Sequence, residues 1–130
     1  MIVDTSVVIA IIFGESDADV LARAISMAPS CRLSAGSFLE ASILAESRSG
    51  DKGIRLLDSF LQESRAIIEP VTEEQGLLAR QGYSDFGTGR HAAGLNFGDC
   101  FAYALAKATG EPLLFKGEDF RKTDIIPALP

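Results

Sequence analysis

Basic residues are in the minority in this 130-residue chain: 12 Lys and Arg stand against 18 Asp and Glu, a formal net charge of −6. That deficit argues against holding DNA or RNA by bulk electrostatics, which needs a basic face. Histidine is almost missing, with His91 alone in a glycine-rich segment. The two cysteines, Cys31 and Cys100, lie far apart and form no C-x-x-C pair. A disulfide scaffold is therefore excluded, and buried free thiols in a reducing compartment are expected. A Cys–His nucleophile has no support. Long hydrophobic runs are absent too. The longest, Val7–Phe13, falls far below the roughly 20 residues of a membrane span. The opening Met1-Ile2-Val3-Asp4 has no basic n-region, so a signal peptide is not expected.

What is present is the balance of an ordinary globular protein, 47% apolar and 23% charged. The length suits one domain spanning residues 1–130. No internal repeat or low-complexity tract interrupts it. Short apolar runs predict strands at Ile2–Asp4, Arg32–Ser34, Ala66–Val71 and Leu113–Lys116, with a last one near Ile125–Ile126. Helical spacing predicts helices over Thr5–Phe13, Asp17–Met27, Ser37–Ser49, Gly53–Ser64, Thr72–Tyr83 and Phe97–Thr109. On the last, Phe97, Cys100, Phe101, Ala104, Leu105 and Ala108 form the expected buried side. Gly82–Gly94 reads as a long loop, and Ile126–Pro130 as a tail that is frayed or docked on a partner. Strands alternating with helices imply βαβ crossovers. The expected fold class is α/β, a three-layer sandwich with a mainly parallel sheet flanked by helices.

In such sheets the functional site lies at the carboxyl ends of the strands. Asp4 ends the first strand, while Lys116, Glu118 and Asp119 follow the Leu113–Lys116 strand. Glu40 and Asp99 each fall in the first turn of a helix. Every acid also has a plain structural role open to it. Asp4 suits an N-cap, Ser37-Phe38-Leu39-Glu40 fits a capping box, and Asn96 would place Asp99 at the third helical position. Against that, Glu40 neighbours Gly36, Ile43 and Leu44, an apolar setting for a carboxylate. Gly98 would let another backbone come close to Asp99. Acids gathered without a His, Cys or Ser base suit hard cations such as Mg²⁺ and Mn²⁺. Phosphodiester cleavage is the reaction class that best uses that arrangement. Lys116, Arg90 and Ser6 are the candidate substrate contacts. The Gly87-Thr88-Gly89-Arg90-His91 stretch reads as a flexible lid.

These residues carry a resemblance. Met1-Ile2-Val3-Asp4-Thr5-Ser6, Phe38-Leu39-Glu40, the segment Leu95–Ala106 around Asp99, and Leu113–Phe120 with Thr123-Asp124-Ile125 together resemble a PIN domain over essentially the whole chain. The likeness is strongest to the VapC toxins of bacterial toxin–antitoxin pairs. It implies a cytoplasmic bacterial endoribonuclease that is Mg²⁺-dependent, or Mn²⁺-dependent, cuts tRNA or rRNA and stops translation. It also implies a homodimer held inactive by a VapB-type antitoxin. Carried over by residue, Asp4, Glu40 and Asp99 are the metal-binding catalytic acids. The place of the family's usual fourth acid is held by Gly117, which leaves Asp119, or else Glu118. Setting those four acids aside brings the rest of the chain close to charge balance, and an acidic face suits a basic segment of an antitoxin. Two rival readings are a receiver-like phosphoacceptor domain and a catalytically inactive PIN domain that only binds a partner.

Overall fold

Four short apolar segments build the sheet in the computed structural model, which describes residues 1–130. They are β1 (Ile2–Val3), β2 (Arg32–Ser34), β3 (Ile67–Glu69) and β4 (Leu113–Leu114), all parallel in the order β3-β2-β1-β4. Ile2 is in register with Arg32 and Leu113, and Val3 with Leu114. Successive strand side chains point to opposite faces. Ile2 and Leu113 therefore enter one core, and Val3 and Leu114 the other. The Val3 face is covered by α1 (Thr5–Ile12), α2 (Ala18–Met27) and α3 (Ala35–Ser64). The Ile2 face is covered by α5 (Phe97–Thr109), against which α4 (Glu73–Phe86) packs. This is the expected α/β sandwich.

The chain leaves β1 toward β2 and β3 on one side and returns to β4 on the other. The strand order thus reverses beside β1, and the crevice outside its carboxyl end is where a site belongs. The receiver reading fails on this order. A receiver's first strand lies between its second and third, whereas β1 here lies between β2 and β4.

Several expectations need correction. Ser34, not Ser37, caps α3, its Oγ accepting the Gly36 N–H. Glu40 is therefore outside any capping box, and Ser37 is a buried residue within the helix. The two helices expected over residues 37–64 are both present as the halves of α3, parted by a kink at Ser49–Gly50 where the backbone is not helical and Gly50 takes φ +56° and ψ −138°, a conformation open to glycine. In α5, Phe97 and Ala108 lie in solvent, while Ala102, Tyr103 and Ala106 join Leu105 inside. The helix amphipathicity misled because α5 is covered by α4, α3 and the sheet at once. Helix α4 runs on to Phe86, so the loop is shorter than expected. That loop is not a loose lid. Thr88 Oγ1 donates to the carbonyls of Gly94 and Leu95, and the His91 ring meets Phe86 edge-on at 5.2 Å. The tail docks on its own chain: Arg121 donates to the Leu129 and Pro130 carbonyls, and Ala128 bonds Leu113. Near Ile126 there is only an isolated bridge, Leu113 to Pro127. Both cysteines are buried and free. No helix is long and apolar enough to cross a membrane.

The bend in α3 brings Gly53 onto the backbone of its own first half, where a Cβ would lie 2.0 Å from the Ala45 carbonyl oxygen. Gly53→Ala is expected to lower unfolding free energy by about 2 kcal/mol or more, since rigid backbone must move. Gly76→Ala, in an open stretch of α4, is expected to raise it by about 0.5–1 kcal/mol. Urea denaturation of the two variants checks both signs.

Candidate active site

Asp4 follows β1 and precedes α1, so it is both strand end and helix cap. Its Oδ2 accepts the Ser6 backbone N–H at 3.1 Å and the Ser6 hydroxyl at 2.6 Å. Both bonds fall on one oxygen, which leaves Oδ1 for other work. The residue is only 4% exposed. Burial disfavours its charged form and raises its pKa to about 6. The two Ser6 bonds oppose this, while the nearby charges of Asp99 and Glu40 add to it. Ser6 is itself held from behind, its Oγ accepting the Lys116 backbone N–H at 3.1 Å. A chain of bonds therefore runs from the end of β4 to the Asp4 carboxylate.

Asp99 shows the same economy. Asn96 caps α5 through the Asp99 N–H, and Asp99 Oδ2 accepts the Asn96 N–H at 3.0 Å, a complete capping box. Again one carboxylate oxygen serves the cap. Burial raises the Asp99 pKa, the Asn96 N–H opposes this, and the charges of Glu40 and Asp119 raise it further. Glu40 reaches this group from α3. Its carboxylate lies directly against Gly98, where a Cβ would be 2.0 Å from Oε2. The close approach that Gly98 permits is thus by a side chain, not by a backbone. Ile43 and Leu44, one turn further along α3, are exposed, so Glu40 stands at an open rim. The charges of Glu40 and Asp99 thus both act on Asp4 at the carboxyl end of β1, and that of Glu40 acts on Asp99.

Asp119 is exposed, and its charge reaches Asp99. Glu118 points away toward the Arg121 guanidinium at 3.6 Å. Asp124, the acid of the closing Thr123-Asp124-Ile125 segment, binds Tyr103 and Lys107 on α5 instead. Lys116 does not extend into the site. Its ammonium is held by Glu15 and by Asp17 at 3.3 Å, and the Glu15 hydrogen bond raises its pKa. Neither Glu15 nor Asp17 stood out in the sequence, because both lie in the turn between α1 and α2 with no motif around them. Arg90 lies over the Tyr83 ring at 5.6 Å, beside α4.

None of Asp4, Glu40, Asp99 or Asp119 forms a salt bridge with a basic side chain. No three His, Cys, Asp or Glu side chains lie close enough together to hold a metal ion between them. The donors are nevertheless of the right kind for a hard cation, oxygen only. Mg²⁺ retains several waters and needs few direct protein ligands, so an open set with the free Oδ1 of Asp4 fits it.

Comparison with known proteins bears on all of this. The PIN domain family model matches residues 1–126. Ribonuclease VapC28 of Mycobacterium tuberculosis is 51% identical over 130 residues, covering 99% of this chain and 98% of its own. Ribonuclease VapC of Mycolicibacterium smegmatis is 48% identical over 125 residues, covering 96% and 97%. Among solved structures, the sarcin-ricin loop cleaving toxin VapC20 of M. tuberculosis superposes with a TM-score of 0.77, covering 96% of this chain and 95% of its own. At 19% identity that likeness speaks for the fold. With its family match over nearly the whole length and relatives at about half identity, the chain belongs to the PIN-domain family, among the VapC ribonucleases.

Proposed function

We propose that this protein is a metal-dependent endoribonuclease toxin that cleaves RNA, tRNA or rRNA, to stop translation, and is neutralised by a VapB-type antitoxin. The observation that carries the reading is a cluster of acids with no counter-ion of its own. Asp4 is buried beside two further carboxylates, and the nearest strand-end base, Lys116, is taken by Glu15 and Asp17. Uncompensated like charges are costly and call for a cation. Asp4, Glu40 and Asp99 would hold Mg²⁺ or Mn²⁺, with Asp119 at the outer side. The ion supplies a water of lowered pKa and neutralises charge on the phosphoryl group. Ser6 fixes the Asp4 carboxylate through Oδ2, which leaves Oδ1 to serve as the metal ligand. The inactive-member reading predicts no cation binding, and calorimetric titration with Mn²⁺ separates the two.

Purified protein is expected to cut RNA in Mg²⁺ or Mn²⁺ and to lose this activity in EDTA. Asp99→Asn is expected to slow cleavage by about a hundredfold or more, the scale of losing one electrostatic contributor to a transition state. Cleavage that persists in EDTA would overturn the proposal.

Asp4 has a stability signature independent of activity. Its folded pKa of about 6 lies above the ordinary aspartate value of 3.8. Between those values the folded state binds more protons than the unfolded one, so metal-free stability falls as pH rises through that window. In EDTA, Asp4→Asn is expected to raise stability at pH 7 by roughly 1–3 kcal/mol and to have little effect below about pH 4. Thermal melts at the two pH values check this.

Gly98→Ala pushes a methyl group into the flexible end of Glu40 rather than into backbone. Melting temperature is expected to change little, while Mn²⁺ affinity falls about tenfold or more, as when a ligand loses its support. Calorimetry on the folded variant measures it.

A further inference from the structure

Phe97 is 79% exposed, the most open large apolar side chain in the molecule. It opens α5 two residues before Asp99, and the Asn96–Asp99 capping box fixes its backbone relative to the acid. Its ring meets Phe101 edge-on, with centroids 5.0 Å apart. Phe101 in turn lies against Gly36 at the start of α3, one turn before Glu40. Between α4 and α5 these rings border a groove of about 560 Å³, lined also by Tyr83, Cys100, Asn96 and Arg80. Arg90 reaches over Tyr83 from the neighbouring loop. Neither Arg80 nor Arg90 has a carboxylate within salt-bridge distance. An aromatic platform with two free guanidinium groups therefore adjoins the acid cluster.

We infer that this groove is a nucleobase subsite, in which an unstacked base beside the scissile phosphate lies on Phe97 while Arg80 and Arg90 meet the flanking phosphates. The inference rests on the ribonuclease reading. A chain of net charge −6 cannot grip RNA by its general field. It needs local contacts, and aromatic faces beside arginines are the usual means of binding single-stranded RNA. The charges complement the ligand: acids where a cation and the reacting phosphate belong, and unpaired cations where the flanking phosphates run. A duplex keeps its bases stacked and offers no free face. The occupant is therefore single-stranded RNA.

The chain contains no tryptophan, so Phe97→Trp supplies a single fluorophore at the platform. In EDTA at low salt, a short single-stranded RNA is expected to quench it saturably. An abasic oligonucleotide of equal length and a duplex of the same sequence are expected to leave it unquenched. In cleavage assays with Mn²⁺, Phe97→Ala is expected to raise KM for the short RNA by roughly 5- to 150-fold, the range of one lost stack. Its kcat is expected to stay within about twofold, since the ring contributes to binding and touches no reacting atom. No quenching by single-stranded RNA, or an unchanged KM where the wild type cleaves, overturns the subsite. So does a change in molecular mass of Phe97→Ala by sedimentation, which would make the face a contact between copies. If the wild type cuts no RNA, the ribonuclease reading fails, and the quenching titration, which needs no catalysis, still decides the subsite.

Discussion

A carboxylate that terminates the central strand of a parallel sheet has nowhere to go but inward. Asp4 is flanked by β2 and β4 through its strand and covered by the start of α1, so its desolvation is a consequence of topology. The fold tolerates the cost by giving one oxygen two hydrogen bonds from Ser6. The remaining mismatch, an acid held well above the ordinary carboxylate range, is the demand around which the rest of the crevice is arranged. Asp99 and Glu40 increase that demand, and nothing basic in the chain relieves it.

The isolation of the acids is maintained by specific contacts elsewhere. Lys116 leaves β4 at the right edge to quench the cluster, yet Glu15 and Asp17 draw its ammonium toward the turn between α1 and α2. Its backbone meanwhile supports Ser6. One residue thus braces the site through its main chain while its charge is kept out. Asp124 is similarly committed to Tyr103 and Lys107, where it fastens the closing segment to α5.

Much of this was legible in the sequence, for reasons that differ from part to part. Apolar doublets and helical spacing marked the strands and helices, most plainly at β1 and β4, which are buried on both faces. The resemblance drew attention to Asp4, Glu40 and Asp99, and the first and last of these also perform the capping roles that local chemistry suggested. The alternatives were compatible because a carboxylate has two oxygens. Helix ends were harder. Ser37 matched a cap as well as Ser34 did, and what distinguishes them is where the helix begins: at Ala35, with the Ser34 Oγ accepting the Gly36 N–H. Long-range partners left no local trace, so the capture of Lys116 by Glu15 and Asp17 was invisible. The exposure of Phe97 was likewise hidden, since its spacing is that of a core residue.

The sharing of each acid between cap and crevice has a consequence for how the site responds to amidation. An asparagine has a single acceptor oxygen. At position 4 that oxygen is claimed by the Ser6 donors, and at position 99 by the Asn96 N–H. The amide nitrogen must then face the crevice, so a lone pair is replaced by a hydrogen-bond donor. The crevice does not simply lose a charge; at that point its polarity inverts, and the remaining carboxylates gain a neutral partner in the place a cation would occupy.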